Sequence, residues 1–438
     1  MVIIYYQILT RNLIIARSNW AYALEFLQTN IFLCLPRSAT TGGFTSKNFI
    51  LMKFYIISMS LEKMHKGLDD VLVEETSMAS IDGVKGILRY VGIPIEVLAE
   101  KSSFAEVVFL LWKKRLPNRK ELDDFIGMVR AERDVPESMV KMIEQVPAGA
   151  QPMDVLRSLV SSLAFYDKEA GATTIDANFN MAVRILEKAP TAIAYYRRIS
   201  EGKGLIRPSK EPGLPANYYH MLTGIEPSPE IARGFDASFI IYAEHELNAS
   251  AFAGLVTGST LADMYGVITS GISALKGPLH GGANLAAIYM LKEIGDPSKA
   301  EDYIMNKLKN KEKISGFGHR IYRTYDPRAR VFKKICEGIL PTVNKDKKKV
   351  FDTALEVERV AIRELGPNGI YPNTDFWNSV YYYFIDIPPE YFTVNFALAR
   401  IAGWAGHALE YWQANRLIRP RSVYIGPAEA QYVPIEDR

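Results

Sequence analysis

The chain has 438 residues, of which 48% are hydrophobic and 23% charged, values typical of a globular protein rather than a disordered one. Its formal net charge is +3, and residues 1–58 hold five of the 52 basic residues but one of the 49 acidic residues. The remainder is therefore nearly neutral, which argues against the basic surface that nucleic-acid binding requires.

Length and cysteine content narrow the class further. A chain of this length is expected to form two or three domains. Its two cysteines, Cys34 and Cys336, are too few for a disulfide framework, and no CxxC pair suggests a zinc site. We therefore expect a reducing, cytoplasmic setting and no bound metal.

Residues 1–58 differ in composition from residues 59–438. They are rich in Ile, Leu, Phe and Tyr, but charged residues interrupt every apolar run before it reaches the roughly 18–20 residues of a membrane-spanning helix. The pattern of a secretory signal is also poor, whereas an organellar transit peptide is one interpretation. We favour a translation start at Met59, with residues 1–58 a disordered or mis-assigned extension outside the fold and no membrane association.

The segments after Met59 predict one hairpin followed by helices. Short apolar pieces around Asp82-Gly83 and Gly86 predict a small β-hairpin. Later segments repeat apolar residues at intervals of three and four, which predicts helices and an all-α fold. Prolines are expected in or beside the connections, at Pro117, Pro136, Pro152, Pro208, Pro212 and Pro215.

Two helical stretches, residues 238–275 and 393–416, are dense in small residues. Small side chains allow helices to approach closely, so both stretches are candidates for the domain core or for a subunit interface. Ordinary core helices explain each residue equally well.

His280 lies in the segment GPLHGGAN, which leads into a predicted helix over residues 283–294. The dipole at a helix N-terminus disfavours a charged imidazole, so we expect a neutral ring that donates an N–H to a carbonyl oxygen gaining charge. A histidine that caps the helix is the alternative interpretation.

His319 follows Gly316-Phe317-Gly318, where the chain can pass close to a ligand. The segment is neither a dinucleotide fingerprint nor a P-loop. Nearby arginines suit carboxylates and phosphates, although a solvated basic face is equally compatible with the pattern. The basic residues are Lys313, Arg320, Arg323, Arg328 and Arg330.

Asp375 follows a Pro-Asn turn and lies among aromatic residues. Poor solvation there raises the pKa of a carboxylate and strengthens it as a base. The alternative is that Asp375 simply caps the next helix. The aromatic neighbours are Phe376, Trp377, Tyr381, Tyr382 and Tyr383.

Three further candidates are charged or titratable residues in apolar surroundings. Arg400 lies within the small-residue stretch, where an unpaired charge is costly, and His245 lies among apolar helix positions. Arg419 follows that helix in LIRPRS. Each alone is also explained as a satisfied core residue or a structural ion pair.

Taken in order, HE, GPLHGG, GFGHR, DPR, NTDF and RPRS resemble the citrate synthase family, most closely its shorter, prokaryote-type members, across most of residues 60–438. The resemblance implies that His280 and Asp375 enolise acetyl-CoA, and that His319 activates oxaloacetate. It also implies that oxaloacetate and citrate are held by His245, Arg328, Arg400 and Arg419. CoA would be bound by Lys313, Ile314, Ser315, Gly316 and Phe317.

The resemblance also implies an architecture: a two-domain, all-α fold and a homodimer in which Arg419 reaches the other subunit's site. The large domain would comprise residues 59–282 and 379–438, and the smaller one, residues 283–378, would close over the substrates. No cofactor is implied, since the CoA thioester is itself a substrate.

Two alternatives stay open at this point. A 2-methylcitrate synthase would use propionyl-CoA with the same catalytic set, and a non-catalytic relative would only bind CoA or a dicarboxylate. Trp377 departs from the commoner family sequence, and we expect it to narrow the pocket and influence the choice of acyl-CoA.

Overall fold

The computed structural model describes residues 65–68, 71–211 and 213–438, so the interpretations of residues 1–58 and of a start at Met59 lie outside the described residues. Within these ranges the chain forms sixteen α-helices and one small sheet, which confirms the all-α class. The helices are α1 Ile95–Lys101, α2 Phe104–Lys113, α3 Arg119–Ala131, α4 Glu137–Glu144, α5 Pro152–Leu163, α6 Ile175–Ser200, α7 Leu214–Thr223, α8 Pro229–Tyr242, α9 Ala249–Ser259, α10 Met264–Leu275, α11 Ala283–Ile294, α12 Ala300–Lys309, α13 Pro327–Ile339, α14 Lys345–Leu365, α15 Thr374–Phe384 and α16 Phe392–Tyr411.

The predicted hairpin is present. Strands β1 (Ala79–Asp82) and β2 (Ile87–Tyr90) pair antiparallel, and β3 (Ile93–Pro94) pairs antiparallel with β2. The Asp82 carboxylate accepts the backbone N–H groups of Val84 and Lys85 at 3.1 and 2.9 Å, which fixes the turn. The turn carbonyl of Gly83 accepts the N–H of Arg323 at 2.9 Å, so the hairpin supports the segment that follows His319.

Helix boundaries follow the expected chemistry at several prolines. Pro152 and Pro215 occupy the first turns of α5 and α7, and Pro136 precedes α4, where a missing N–H costs nothing. Pro190 is different, because it lies inside α6. The apolar periodicity of that segment did not indicate a proline within the helix.

Three side-chain caps begin the helices that carry candidate site residues. Asn248 caps α9, Asp326 caps α13 and Asn373 caps α15, each accepting a backbone N–H from the first turn. The helix predicted over residues 283–294 is α11, so His280 does precede a helix N-terminus.

The central element of the core is α16. Residues 394–409 are all buried, including Arg400 and His407, and the helix packs against α6, α8, α9 and α10. A helix that is buried on every side is expected to be apolar or small all round, and the small-residue stretch over residues 393–416 meets that demand. The stretch over residues 238–275 divides into the end of α8 followed by α9 and α10.

Residues 73–419 form one compact unit. The segment 420–438 belongs to a separate unit and has little regular structure apart from a short turn at Ile435–Asp437. Across the described ranges, none of the helices combines the length and the apolar character needed to cross a membrane.

Candidate active site

Arg328 is buried at the start of α13 and is held by the carboxylate that caps the same helix. Its Nε and Nη2 donate to the two oxygens of Asp326 at 3.0 and 2.8 Å. Asp326 also accepts the backbone N–H of Thr374 at 3.2 Å, which ties α13 to the start of α15. This bidentate pair fixes the guanidinium plane and offsets the cost of burying its charge.

Arg400 is buried in α16, and fewer polar groups offset the burial of its charge than at Arg328. Its Nε donates to the carbonyl oxygen of Tyr242 at 2.6 Å, and its guanidinium lies over the Phe396 ring at 4.8 Å. Burial lowers the pKa of Arg400 to about 10. Its Nη2 has no hydrogen-bond partner among the described residues. A buried donor of this kind is a place where an anionic ligand would be favourable.

His245 and His319 lie side by side. Their ring centroids are 5.3 Å apart, and Tyr322 contacts both rings, with its hydroxyl 3.2 Å from Nε2 of His245. Burial, reinforced by the charge of Arg328, lowers the pKa of His245 well below its usual value. The same two causes lower the pKa of His319 to about 4, so both rings are neutral near pH 7.

The local backbone decides which nitrogen of His319 carries the proton. Nδ1 accepts the backbone N–H groups of Ile321 and Tyr322 at 3.0 and 3.2 Å, so the proton of the neutral ring lies on Nε2. Nη2 of Arg328 is 3.4 Å from that Nε2. The two nitrogens are therefore close enough to bind the same acceptor oxygen.

The proton of His280 is assigned in the same way. Its Nε2 lies 3.3 Å from the backbone nitrogen of Ser250, which can only donate, and 2.9 Å from the Ser250 hydroxyl. The neutral ring therefore carries its proton on Nδ1. Burial, together with the charge of Arg400, lowers the pKa of His280 to about 4. The predicted neutrality therefore has burial as its first cause, and the contribution of the helix dipole stays a prediction.

Asp375 lies in the first turn of α15, partly buried. It does not cap the helix, because Asn373 accepts its backbone N–H at 3.0 Å and serves as the cap. Burial raises the pKa of Asp375 to about 6, even though the charge of Arg328 opposes the shift. The expectation of a poorly solvated, more basic carboxylate agrees with these surroundings.

Tyr242, at the end of α8, links the two halves of the cluster. Its hydroxyl is 3.4 Å from an oxygen of Asp375, its carbonyl holds Arg400, and its ring is 4.3 Å from that of Phe396. The Phe396 ring in turn lies 6.4 Å from that of His280. The structure thus brings together six residues, which form the candidate pocket: His245, His280, His319, Arg328, Asp375 and Arg400.

The segment predicted to bind CoA lies beside Asp375. Asn373 donates its backbone N–H to Gly316 at 2.9 Å, and Gly318 donates to Tyr371 at 2.9 Å. Gly316 has φ 82°, a left-handed conformation, and a Cβ there would overlap with Phe376. Exposure varies along the segment: Lys313 is exposed, Ser315 and Phe317 are partly buried, and Ile314 and Gly316 are buried.

Arg419 lies apart from this cluster in the described chain. It is exposed, and no hydrogen bond or ion pair within the described ranges joins it to another residue. No group of three or more His, Cys, Asp or Glu among the described residues is arranged to hold a metal ion.

Sequence reasoning missed four residues of the site and misjudged a fifth. Of the four, Asp326 alone carried a signal, since an Asp before Pro is typical of a helix start; the other three are Tyr242, Ser250 and Tyr322. Trp377 is fully buried on the side of α15 that faces α14, where its Nε1 donates to Glu358 at 2.8 Å. The hypothesis that Trp377 narrows the candidate pocket is therefore wrong.

The chain is similar to known proteins over most of its length. Residues 67–421 match the family model described as citrate synthase, C-terminal domain. The citrate synthase of Deinococcus radiodurans is 43% identical over 86% of this chain and 100% of that protein. Citrate synthase 2 of Bacillus subtilis is 39% identical over 85% of this chain and 99% of that protein.

Solved structures of citrate synthases are also similar to this chain. The citrate synthase of Pyrobaculum aerophilum superposes with a TM-score of 0.81 at 39% identity, covering 86% of this chain and 95% of that one. The enzyme of Thermoplasma acidophilum, solved in a ternary complex with carboxymethyl coenzyme A and oxaloacetate, gives a TM-score of 0.81 at 35% identity, covering 86% and 100%.

Proposed function

The chain belongs to the citrate synthase family, and on this premise we propose that it condenses acetyl-CoA with oxaloacetate and water to give citrate and CoA. The main support for the proposal is the composition of the candidate site. A carboxylate with a raised pKa lies in one cluster with neutral histidines and two buried arginines. A thioester methyl is a very weak carbon acid, so its deprotonation needs both a base and a donor to the forming oxyanion.

Oxaloacetate would bind first between the arginines. Arg328 is held rigid by Asp326, and Nη2 of Arg400 is buried without a partner, so each offers a donor to a carboxylate. His245, neutral and next to both, would complete the clamp. Nε2–H of His319, which lies next to Arg328, would donate to the ketone oxygen.

Enolisation of acetyl-CoA would use His280 and Asp375. The Nδ1–H of His280 would donate to the thioester carbonyl while Asp375 removes a methyl proton. With a pKa of about 6, Asp375 is ionised near pH 7 yet basic enough to accept that proton. Lys313, Ile314, Ser315, Gly316 and Phe317 would bind the CoA portion, with the buried Ile314 and Gly316 contributing backbone groups.

Carbon–carbon bond formation would follow, assisted by the same side chains. The enol carbon attacks the ketone carbon, and the ketone oxygen, hydrogen-bonded to Nε2–H of His319, becomes the hydroxyl of citryl-CoA. The proton that the oxygen takes from Nε2 is replaced, in net terms, by the one that Asp375 removed from the methyl group, so His319 ends neutral. Water then hydrolyses the thioester of citryl-CoA, releasing citrate and CoA. No further cofactor is needed, because the thioester supplies the acyl group and the driving force.

The domain and subunit arrangement remain proposals. Residues 59–282 and 379–438 would form the large domain, and residues 283–378 the small one, which closes to exclude water. A homodimer would let Arg419, exposed in the single chain, enter the partner's site. The cytoplasmic setting is still a prediction from the cysteine content.

A thiol-release assay with purified protein tests the proposed activity. With oxaloacetate present, acetyl-CoA should be turned over with a higher kcat/KM than propionyl-CoA, and no thiol should appear without oxaloacetate. A preference for propionyl-CoA would favour a 2-methylcitrate synthase instead, and no turnover of either thioester would refute the proposal.

Subunit exchange tests the role of Arg419. Arg419→Ala and Asp375→Asn homodimers should each be inactive, but a heterodimer would contain one site free of both substitutions. Activity returning towards half of wild type would support the shared site. Proven exchange without recovery would mean that Arg419 does not act across the interface.

A further inference from the structure

A second buried cluster lies directly behind the arginines and contains His407. This residue is on α16 two turns after Arg400, and it is 1% exposed. Its Nε2 is 3.0 Å from an oxygen of Glu244, and its Nδ1 is 2.9 Å from an oxygen of Glu74. The side chains of both glutamates are also buried.

The arrangement fixes the charge of His407. Burial alone would lower the pKa of His407, but Glu244 and Glu74 outweigh burial and raise it to about 10. Nε2 is hydrogen-bonded to Glu244, whereas Nδ1 lies within ion-pair distance of Glu74 without the geometry of a hydrogen bond. An imidazolium is favoured because its positive charge faces a carboxylate on both sides. Three further charged groups influence the cluster: Lys114, Glu246 and Glu410.

Glu244 connects this cluster to the pocket. It directly precedes His245, and its backbone N–H and carbonyl both bind the hydroxyl of Tyr90, at 3.1 and 2.8 Å. A Cβ on Gly403 would overlap with Oε2 of Glu244 and would lie 3.3 Å from Cδ of Arg400. The Glu244 carboxylate and the Arg400 side chain therefore pass over the same glycine, side by side.

Neither Glu244 nor Arg400 has hydrogen-bond partners for all of its buried polar atoms. Oε2 of Glu244 and Nη2 of Arg400 both lack a hydrogen-bond partner among the described residues. Glu244 is the first of the charges that stabilise the Arg400 cation. If Glu244 neutralised Arg400 completely, the pocket would offer little positive potential to a dianion. A second cation on the other side of Glu244 prevents this.

We propose that His407 and Glu244 are positioning residues that set the affinity of the pocket for the dicarboxylate substrate. His407 shares the charge of Glu244, so Glu244 stabilises the Arg400 cation without cancelling its charge. The inference rests on the proposed function, because it takes oxaloacetate as the ligand of Arg400.

Variants of His407 test the proposal through the separation of KM and kcat. In His407→Gln the cation is lost, Glu244 acts on Arg400 alone, and the KM for oxaloacetate should rise about tenfold or more. The KM for acetyl-CoA and kcat should change less than about threefold, well below the tenfold that one pKa unit represents. His407→Lys restores the positive charge and should recover most of the oxaloacetate affinity.

Glu410→Gln is the matched control. Glu410 lies one turn beyond His407 and binds Thr76 and Ser77 at 2.6–3.0 Å, close to Glu74 in the chain, but it has no contact with Glu244. Its loss perturbs the same packing and releases Lys114, a cation that Glu244 and Glu74 also attract, so the KM for oxaloacetate should not rise. Calorimetric titration of each variant with oxaloacetate gives the affinity independently of turnover.

The outcomes separate the two proposals. An active wild type whose Gln and Lys variants lose affinity equally, or whose Gln variant binds oxaloacetate normally, would overturn the inference alone. A wild type that neither binds nor turns over oxaloacetate would refute the proposed function and the inference with it. If His407→Gln does not fold, Glu74→Gln removes the outer carboxylate and should shift the oxaloacetate affinity to a smaller extent in the opposite direction, because His407 is then shared by fewer anions.

Discussion

Two buried clusters, which share the helix α16 through Arg400 and His407, have opposite effects on the charge of their histidines. In the pocket, His280 and His319 have pKa values lowered to about 4 and are neutral near pH 7. Behind it, His407 has a pKa raised to about 10 and is cationic. Burial acts against the charged form in all three. The difference lies in the neighbours, arginines in the pocket and two glutamates behind it.

The contrast has a chemical consequence. A neutral histidine can donate one N–H to an oxygen gaining charge without competing for the proton taken by Asp375. A cationic histidine between two carboxylates cannot serve as an acid near pH 7, but it can hold charge in place. The first cluster is suited to proton transfer and the second to fixed electrostatics.

The largest expected effect tests the base in the pocket. Asp375→Asn keeps the shape but cannot accept a proton, so kcat should fall by about 10²–10⁴-fold. Oxaloacetate affinity, measured by calorimetry, should change little because the clamp lies on other residues. Asp386→Asn, an exposed carboxylate beyond the same helix, is the control. Wild-type turnover in Asp375→Asn would remove Asp375 from the mechanism.

The next effect concerns the stability provided by the second cluster. His407→Leu leaves Glu244 and Glu74 buried without their cation, and the free energy of unfolding should fall by about 3–5 kcal/mol. The same substitution at His220, which pairs at the surface with Glu226, should cost under about 1 kcal/mol. Urea denaturation measures both, and equal losses would mean that His407 is an ordinary core side chain.

The pH dependence of stability should also distinguish the clusters. The pKa of His407 is raised on folding, so its contribution is complete below about pH 6.5 and is lost as the pH rises towards about 10. The difference in unfolding free energy between wild type and His407→Leu should therefore shrink across that window. For His280 and His319 the pKa is lowered, and their contribution is lost instead as the pH falls from about 6.5 towards about 4. A difference that grows towards pH 10 would contradict the assignment.

The smallest expected effect is in the pH–rate profile. Asp375 must be ionised to act as the base, and its pKa is raised to about 6. The kcat/KM for acetyl-CoA should therefore rise with pH through about 6 and then level off. An acid limb centred near pH 4 would contradict the raised pKa of Asp375.

Sequence reasoning found the elements whose signals are local. The hairpin at Asp82-Gly83, the helix over residues 283–294 and the all-α class follow from turn residues and apolar spacing. The pocket residues were found through family motifs, and the roles of His280, His319 and Asp375 remain predictions. The aromatic setting of Asp375 did indicate the direction of its pKa.

The site contacts that the sequence did not predict join segments that are distant in the chain. Tyr242 meets Asp375 across 133 positions, and Glu244 meets His407 across 163. No periodicity or turn chemistry in one sequence encodes such pairs. The direction in which Trp377 points was also misjudged, because two positions along a helix turn a side chain to the opposite face.

The most direct test of the contrast is an NMR titration of the histidine side chains in ¹⁵N-labelled protein. The chain has six histidines, and single substitutions would assign them. We predict that at pH 7.5 His407 is protonated on both nitrogens, while His280 carries its proton on Nδ1 and His319 on Nε2. A neutral His407, or a protonated His280 or His319 at that pH, would contradict the account.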